Sequence, residues 1–324
     1  MSGPRVLLIA RFDDALHAHA AQRRRALERL GCRVYGLDPG NRIGLKDRVF
    51  GRDRRARVLR AVDEAAADLV VAIGDPDFEN GLFEEARSAR RARWTNWFPD
   101  DLRTAATAET RAHGYDQVFA IGSDVAKRLE PKAACPVEVL PFAADPSIYR
   151  PLRSRGWYRA NVVFAGLATP RREALLAGLV EFGLAIWGPG WRSTSLRDYC
   201  RGELLRTAEY VKAYNGATVA VNIHHRAEGD EAEASCNQRI FELAALGAAQ
   251  VVDARLDLPA QFEPDRELLT YTTANELRDL VRELLGDPAR VESLKANARR
   301  AALGRHTYMH RARRLLDQAL RPKP

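Results

Sequence analysis

The 324-residue chain has few cysteines, very little lysine and no long apolar run. Its four cysteines, Cys32, Cys135, Cys200 and Cys236, lie far apart and form no C-x-x-C pair. Neither a zinc site nor a disulfide framework is therefore expected; buried, reduced thiols are. No apolar stretch approaches the roughly 18–20 residues of a membrane span. The opening Met1–Ala10 holds one arginine and a short apolar stretch, too short for a signal peptide and better read as a first strand. A cytoplasmic protein without a membrane span is expected. Only 6 of the 51 basic residues are lysine. The net charge of +8 thus rests on arginine, which is spread along the chain and interleaved with acids, as in Arg52-Asp53-Arg54-Arg55. That is the pattern of a solvated face. A guanidinium fork does suit phosphate oxygens, but bulk charge does not choose the partner.

What is present is a globular composition, 46% apolar and 29% charged. The length suits two domains. Apolar, β-branched runs at Arg5–Ala10, Cys32–Leu37, Asp68–Ile73, Arg93–Trp97, Asp116–Ile121 and Val137–Pro141 read as strands. Helix-period stretches lie between them at Ala15–Leu30, Arg54–Ala67, Leu82–Arg91 and Asp124–Glu130. After a proline-rich joint at Phe142–Arg155 the alternation restarts. Strands are expected at Asn161–Ala165, Leu184–Trp187, Thr218–Ile223, Ala249–Asp253 and Leu268–Tyr271, with helices at Arg171–Phe182, Ala208–Asn215 and Asn237–Leu246. From Ala274 onward the tail reads as helical. Such alternation implies an α/β fold of two Rossmann-like parallel-sheet domains facing across a cleft. The expected division is 1–150, 151–305 and a closing segment 306–324. Ligands of such sheets bind beyond the carboxyl ends of the strands, so chemistry is sought in the strand-to-helix loops.

The richest loop runs from Asn222-Ile-His-His225 to Ser235-Cys-Asn-Gln238. Ser235 and Gln238 have capping-box spacing and predict a helix start near Cys236, with Gly247 as its positive-φ terminator. Arg239 and Glu242, three apart, share a face. With the helix start at Asn237 they form a possible diphosphate and ribose seat; an ordinary surface ion pair is the competing reading. His224 and His225 follow a strand, and adjacent residues there point to opposite sides, so one at most faces a ligand. Gly166, with Arg171 and Arg172 after it, would let a backbone approach phosphate. Trp187-Gly188-Pro-Gly-Trp191 is a second glycine turn, whose backbone and a nearby indole would meet a nucleobase; as a plain turn it needs no ligand. In the first half Asp13, Asp14, His17 and His19 follow the first strand and are candidate bases. Trp94-Thr-Asn-Trp97 offers aromatic surface to a sugar or an apolar acceptor, and Asp100 and Asp101 read as helix caps.

Together these segments resemble the CgeB-like (spore-maturation-protein type) glycosyltransferases of the GT-B superfamily. The likeness is carried by Leu140-Pro-Phe-Ala-Ala-Asp-Pro146, Val162-Val-Phe-Ala-Gly166, Gly188-Pro-Gly-Trp191, Tyr214-Asn-Gly-Ala217, Asn222-Ile-His-His225 with Glu228-Gly229, Asn237-Gln-Arg-Ile-Phe-Glu242 with Gly247, Asp257-Leu-Pro259, Phe262-Glu-Pro264 and His306-Thr-Tyr308. It implies a nucleotide-sugar donor, most simply a UDP-sugar, on the C-terminal domain and an acceptor on the N-terminal one. It implies no cofactor and no metal, helix ends and basic side chains taking the cation's place, and a last helix, around Arg311–Leu320, crossing back onto the first domain. In the E-x7-E pattern of many retaining relatives Glu242 matches the second glutamate, the ribose contact. The first falls on Ala234, with Glu233 one residue out of register. Retaining transfer to a small-molecule, glycan or protein acceptor is expected, the leaving phosphate taking the acceptor proton; an inverting enzyme would instead need Asp13, Asp14, His17 or His19 as its base. Two other readings stay open: a non-catalytic nucleotide- or glycan-binding protein, and transfer to a nucleic-acid base.

Overall fold

In the first half the apolar runs pair side by side, the inner ones buried on both faces. In the computed structural model, residues 3–12, 19–39, 54–74, 81–89, 91–98, 114–203, 206–225 and 234–321 are described. The strands are β1 Arg5–Ile9, β2 Arg33–Leu37, β3 Leu69–Ile73, β4 Arg93–Phe98, β5 Gln117–Ala120 and β6 Val137–Val139. They form one parallel sheet in the order β2-β1-β3-β4-β5-β6. The described residues up to Pro141 and those from Tyr308 onward form one compact unit; Phe142–Thr307 belong to the other.

The helix Tyr308–Ala319 is held in the first unit by a buried arginine. Arg23, on the helix His19–Arg29, places its guanidinium 3.9 Å from the Trp97 ring centroid and 5.0 Å from that of Tyr308. Arg311 Nε donates to Pro141 O at 3.0 Å. Trp94 and Trp97 are core residues, and the Trp97 indole N–H donates to Leu140 O at 2.9 Å. The expectation that these aromatics offer surface to an acceptor is therefore corrected: on a strand covered on both faces, every large ring is packed.

The second unit repeats the plan with β7 Ala160–Ala165, β8 Leu184–Trp187, β9 Cys200–Gly202, β10 Ala217–Asn222, β11 Gln250–Asp253 and β12 Leu269–Tyr271. The order is β12-β11-β10-β7-β8-β9, all parallel. The short edge strand β9 escapes sequence reading because Cys200-Arg-Gly202 has no apolar alternation. The long helix expected at Arg171–Phe182 is instead Pro170–Ala177 followed by a 3-10 turn, Val180–Phe182, with Gly178 between them. The chain runs outward from β7 to β9, then returns to the other side of β7 as β10. The switch point of this sheet therefore lies between the carboxyl ends of β7 and β10, where open α/β sheets take ligands.

The turns at those ends approach closely. Gly188 has φ +134°, and a Cβ on it would lie 2.2 Å from Gly166 O. Gly188→Ala should therefore destabilise the second unit by about 2–4 kcal/mol, read as a lower thermal or urea midpoint. A wild-type midpoint would contradict this packing.

Candidate functional site

The helix Gln238–Leu246 begins at the switch point, and its start is built by side chains from three segments. Asn237 is the N-cap: its Oδ1 accepts the Ile240 N–H at 3.1 Å. Ser235, expected to cap, lies two residues outside the cap. Its presumed partner Gln238 turns inward and donates to Glu242 Oε1 at 2.6 Å. The helix closes at Gly247, with φ +69° as expected. Asn222, the last residue of β10, meets Asn237 in a reciprocal amide pair at 3.0 and 3.1 Å. Arg239 Nη1 also donates to Asn222 Oδ1, at 3.2 Å.

His224 completes the scaffold. Its Nε2 accepts the Asn237 N–H at 2.9 Å, and its Nδ1 lies 2.7 Å from Asp253 Oδ1. An imidazole that accepts at Nε2 must be neutral and carry its proton on Nδ1, which then donates to Asp253. The His224 backbone N–H reaches the same carboxylate oxygen at 2.9 Å. Both side chains are buried. Burial pushes the His224 pKa down to about 4 against the pull of Asp253. Burial alone would raise the Asp253 carboxyl, but His224 and Arg255 outweigh it and hold it well below the usual carboxylate range. The pair is thus a neutral imidazole on a carboxylate anion.

These bonds leave a defined remainder at the helix start. Asn237 N–H is taken by His224 and Ile240 N–H by the cap. Among the described residues the backbone N–H groups of Gln238 and Arg239 have no acceptor. Two N–H groups at the positive end of a helix form an anion seat.

Two guanidinium groups lie at the same strand ends, bonded to Asn222 and Ile223. Arg239 and Arg172 both lie over the Phe164 ring, at 5.6 and 5.4 Å from its centroid. A Cβ on Gly166 would stand 3.1 Å from both Arg239 Nη2 and the Phe164 ring, so the glycine leaves room for these side chains at the end of β7. Arg172 donates to Leu167 O and Ile223 O, at 2.9 and 2.8 Å. Burial, then the charge of Arg239, push its pKa down to about 9. For Arg239 burial also opposes the charge, but Tyr214, Tyr210 and Glu242 outweigh it and keep the group protonated. Two buried like charges on one ring favour an anion between or beside them.

The structure thus brings Gly166, Arg171, Gly188, His224, Asn237, Arg239 and Glu242 to the carboxyl ends of one sheet, with several roles corrected. Arg171 is engaged, donating to Asp253 Oδ2 at 3.1 Å and to His224 O at 3.2 Å. Arg239 and Glu242 are no surface pair: both are buried, Glu242 completely. His224 is a scaffold residue rather than a group facing a ligand, and His225 beside it is half-buried. Trp187 and Trp191 are buried, Trp187 stacked on Tyr158 and Trp191 donating to Gly166 O at 2.7 Å. Neither indole is a free platform for a nucleobase, although Pro189 and Gly190 of that turn are exposed. Asp13, Asp14, His17, the His19 side chain, Asp100, Asp101, Glu228, Gly229 and Glu233 lie outside the described residues. Sequence reasoning missed Asp253 as the partner of His224 and Arg171. Its only local signal was a carboxylate at the end of a predicted strand. Two open hollows of about 630 and 340 Å³ lie elsewhere, at the amino ends of strands, beside Arg93 and Gln117 and beside Ala217 and Ala248. Among the described residues no three His, Cys, Asp or Glu side chains gather as a metal site.

Two outcomes follow from the His224 linkage. Its folded pKa lies below its ordinary value of 6.5, so the unfolded chain binds more protons between those limits. Stability then falls as pH drops from about 6.5 towards 4, by up to the order of 3 kcal/mol. His224→Gln should flatten that dependence in urea titrations across this range; an equally steep wild-type-like slope would contradict the assignment. Asp253→Asn removes the anion that fixes the Nδ1–H tautomer and anchors Arg171. It should destabilise the second unit by about 3–5 kcal/mol, as loss of one partner from a buried pair does, again read from urea midpoints.

Residues 171–317 match a family model described as glycosyl transferase-like. No curated protein sequence matches significantly. Among solved structures, the chain is similar to sucrose-phosphate synthase from Thermosynechococcus elongatus, at 14% identity over 97% of each chain with a TM-score of 0.67. It is similar to Anabaena HepE in complex with UDP and glucose, at 12% identity over 98% of this chain and 99% of that one, TM-score 0.65. It is also similar to AviGT4, a glycosyltransferase involved in avilamycin A biosynthesis, at 16% identity over 98% and 97%, TM-score 0.63. At these identities the structural likeness speaks for the fold, and the family match covers residues 171–317. Residues 171–317 are thus similar to the glycosyl transferase-like family, and the chain shares along its length the two-sheet GT-B fold of these structures.

Proposed function

We propose that the donor of this glycosyltransferase is a UDP-sugar, with its diphosphate at the start of the Gln238–Leu246 helix, and that transfer retains the anomeric configuration without a resident metal. The observation that carries this reading is the pair of unpartnered N–H groups of Gln238 and Arg239, beside the buried guanidinium groups of Arg239 and Arg172. UDP is adopted from the HepE complexes. Phosphate oxygens would accept from those two N–H groups and from Arg239. Glu242 would take the ribose, a hydroxyl replacing Gln238 as its donor. The exposed turn at Pro189 and Gly190 would meet the base through its backbone.

In the chemical step the bond from the anomeric carbon to the diphosphate oxygen breaks as the acceptor oxygen bonds to the same carbon. The acceptor proton passes to the departing phosphate, which spares the protein a strong base. Negative charge grows on the diphosphate, where the fixed N–H dipoles and Arg239 stabilise it without reorganising. Ala234 stands where many retaining relatives carry a carboxylate, so this reading assigns transition-state stabilisation to the leaving-group side. The acceptor, a small molecule, glycan or protein, is assigned to the first unit. Four free thiols suit a reducing cytoplasm.

Arg239→Gln should weaken UDP binding by about 10- to 100-fold, the worth of hydrogen bonds to a charged group, and lower turnover of the UDP-sugar, with circular dichroism unchanged. Calorimetric titration with UDP measures the first effect. Unchanged UDP affinity would remove the diphosphate from this helix start.

A further inference from the structure

The joint that opens the second unit is rich in arginine, and most of these arginines lie outside the site. Between Asp145 and Glu173 the chain holds six arginines and no acidic residue. Four of them, Arg150, Arg153, Arg155 and Arg159, are exposed, and none forms an ion pair with a described residue. Elsewhere on this surface arginines do find carboxylates, as in Arg24–Glu28, Arg278–Glu181 and Arg282–Asp279. Among these unpaired charges stand two large apolar side chains, Trp157 at 62% exposure and Leu152 at 41%.

The segment is also held in place. Leu152 N–H donates to Asn215 Oδ1 at 2.7 Å, Asn215 Nδ2 to Arg150 O at 3.2 Å, and Ser154 Oγ to Lys212 O at 2.7 Å. Arg201 Nη1 binds both Trp157 O and Arg159 O, at 2.7 and 2.8 Å. The same guanidinium lies 5.7 Å from the Trp157 ring centroid and 5.6 Å from that of the buried Trp187. The chain thus presents an indole and a leucine to solvent on a strapped backbone. Holding large apolar groups in water on a fixed frame is unfavourable unless a partner covers them.

We propose that the Arg150–Arg159 strap docks this protein on an anionic lipid surface, the arginines meeting headgroup phosphates and Trp157 and Leu152 entering the headgroup–acyl boundary. Tryptophan favours that boundary because its ring is apolar and its N–H polar, and clustered basic residues are drawn to negative leaflets. Leu152 decides between polyanions. An aliphatic side chain offers nothing to a stacked base but adds buried area in acyl chains. The inference is independent of the donor site.

The test is co-sedimentation of the full chain with vesicles of phosphatidylcholine alone or with 30% phosphatidylglycerol, at low and high salt. Wild type should pellet with the anionic vesicles at low salt and not with the neutral ones. Each arginine removed in the series Arg153→Gln, Arg155→Gln and Arg159→Gln should weaken binding about fivefold, the equivalent of about 1 kcal/mol per basic residue. Trp157→Ala should weaken it too and abolish a blue shift of tryptophan emission, while its urea midpoint stays that of wild type because the side chain is exposed. Absence of anionic-vesicle binding would overturn the proposal, as would binding equal in wild type and variants. Tight binding to single-stranded RNA that Trp157→Ala removes, without vesicle binding, would overturn it in favour of a nucleic acid.

Discussion

One chain of hydrogen bonds organises the second unit's ligand end: Asp253 to His224, and His224 to the N–H of Asn237. It joins the ends of β10 and β11 to the start of the Gln238–Leu246 helix, and Arg171 ties the helix Pro170–Ala177 to the same carboxylate. The arrangement works only with a neutral imidazole. A protonated Nε2 would point a hydrogen at the Asn237 N–H, and the helix start would lose its seat. Asp253 secures this state by accepting from Nδ1, and burial excludes the water that would favour the cation. The asparagine pair then fixes the cap laterally and presents Asn222 Oδ1 to Arg239.

What the scaffold leaves open matters as much as what it ties down. Of the first helical N–H groups, one goes to a histidine and one to a cap, and the two between them are unspent. Arg239 and Arg172 share the face of a single phenylalanine, and burial, then the charge of Arg239, lowers the pKa of Arg172. Under the proposed function an entering diphosphate would meet both charges. Gly188 is required by this packing, because a side chain there would meet a backbone oxygen, and Gly166 leaves room beside Arg239.

Much of the architecture was legible in the chain. Strands of a covered parallel sheet are apolar throughout and helices keep their 3.6-residue period, so both six-stranded sheets could be traced, with β9 the exception because it is a polar edge. The glycine turns and the helix ending at Gly247 were likewise readable from local chemistry. The site was legible in position but not in detail. Arg239 and Glu242 look like a surface pair at three-residue spacing, and only tertiary packing shows that the helix carrying them is buried on all sides. Ser235 has the spacing of a cap, yet Asn237 wins because Asn222 and His224 already hold it. Trp94, Trp97 and Trp187 read as ligand platforms but are core, since a strand's facing cannot be told when both faces are covered. Asp253 is 29 residues from His224, and no local pattern joins them.

The central claim, that a neutral histidine sets the helix start on which the diphosphate rests, is tested most directly by nitrogen NMR of the ¹⁵N-histidine-labelled protein, with and without UDP. The account predicts a His224 imidazole protonated on Nδ1 and bare on Nε2 from pH 5.5 to 8, with resonances that move when UDP binds. A His224 that titrates near its ordinary value of 6.5, that carries its proton on Nε2, or that does not respond to bound UDP would contradict it.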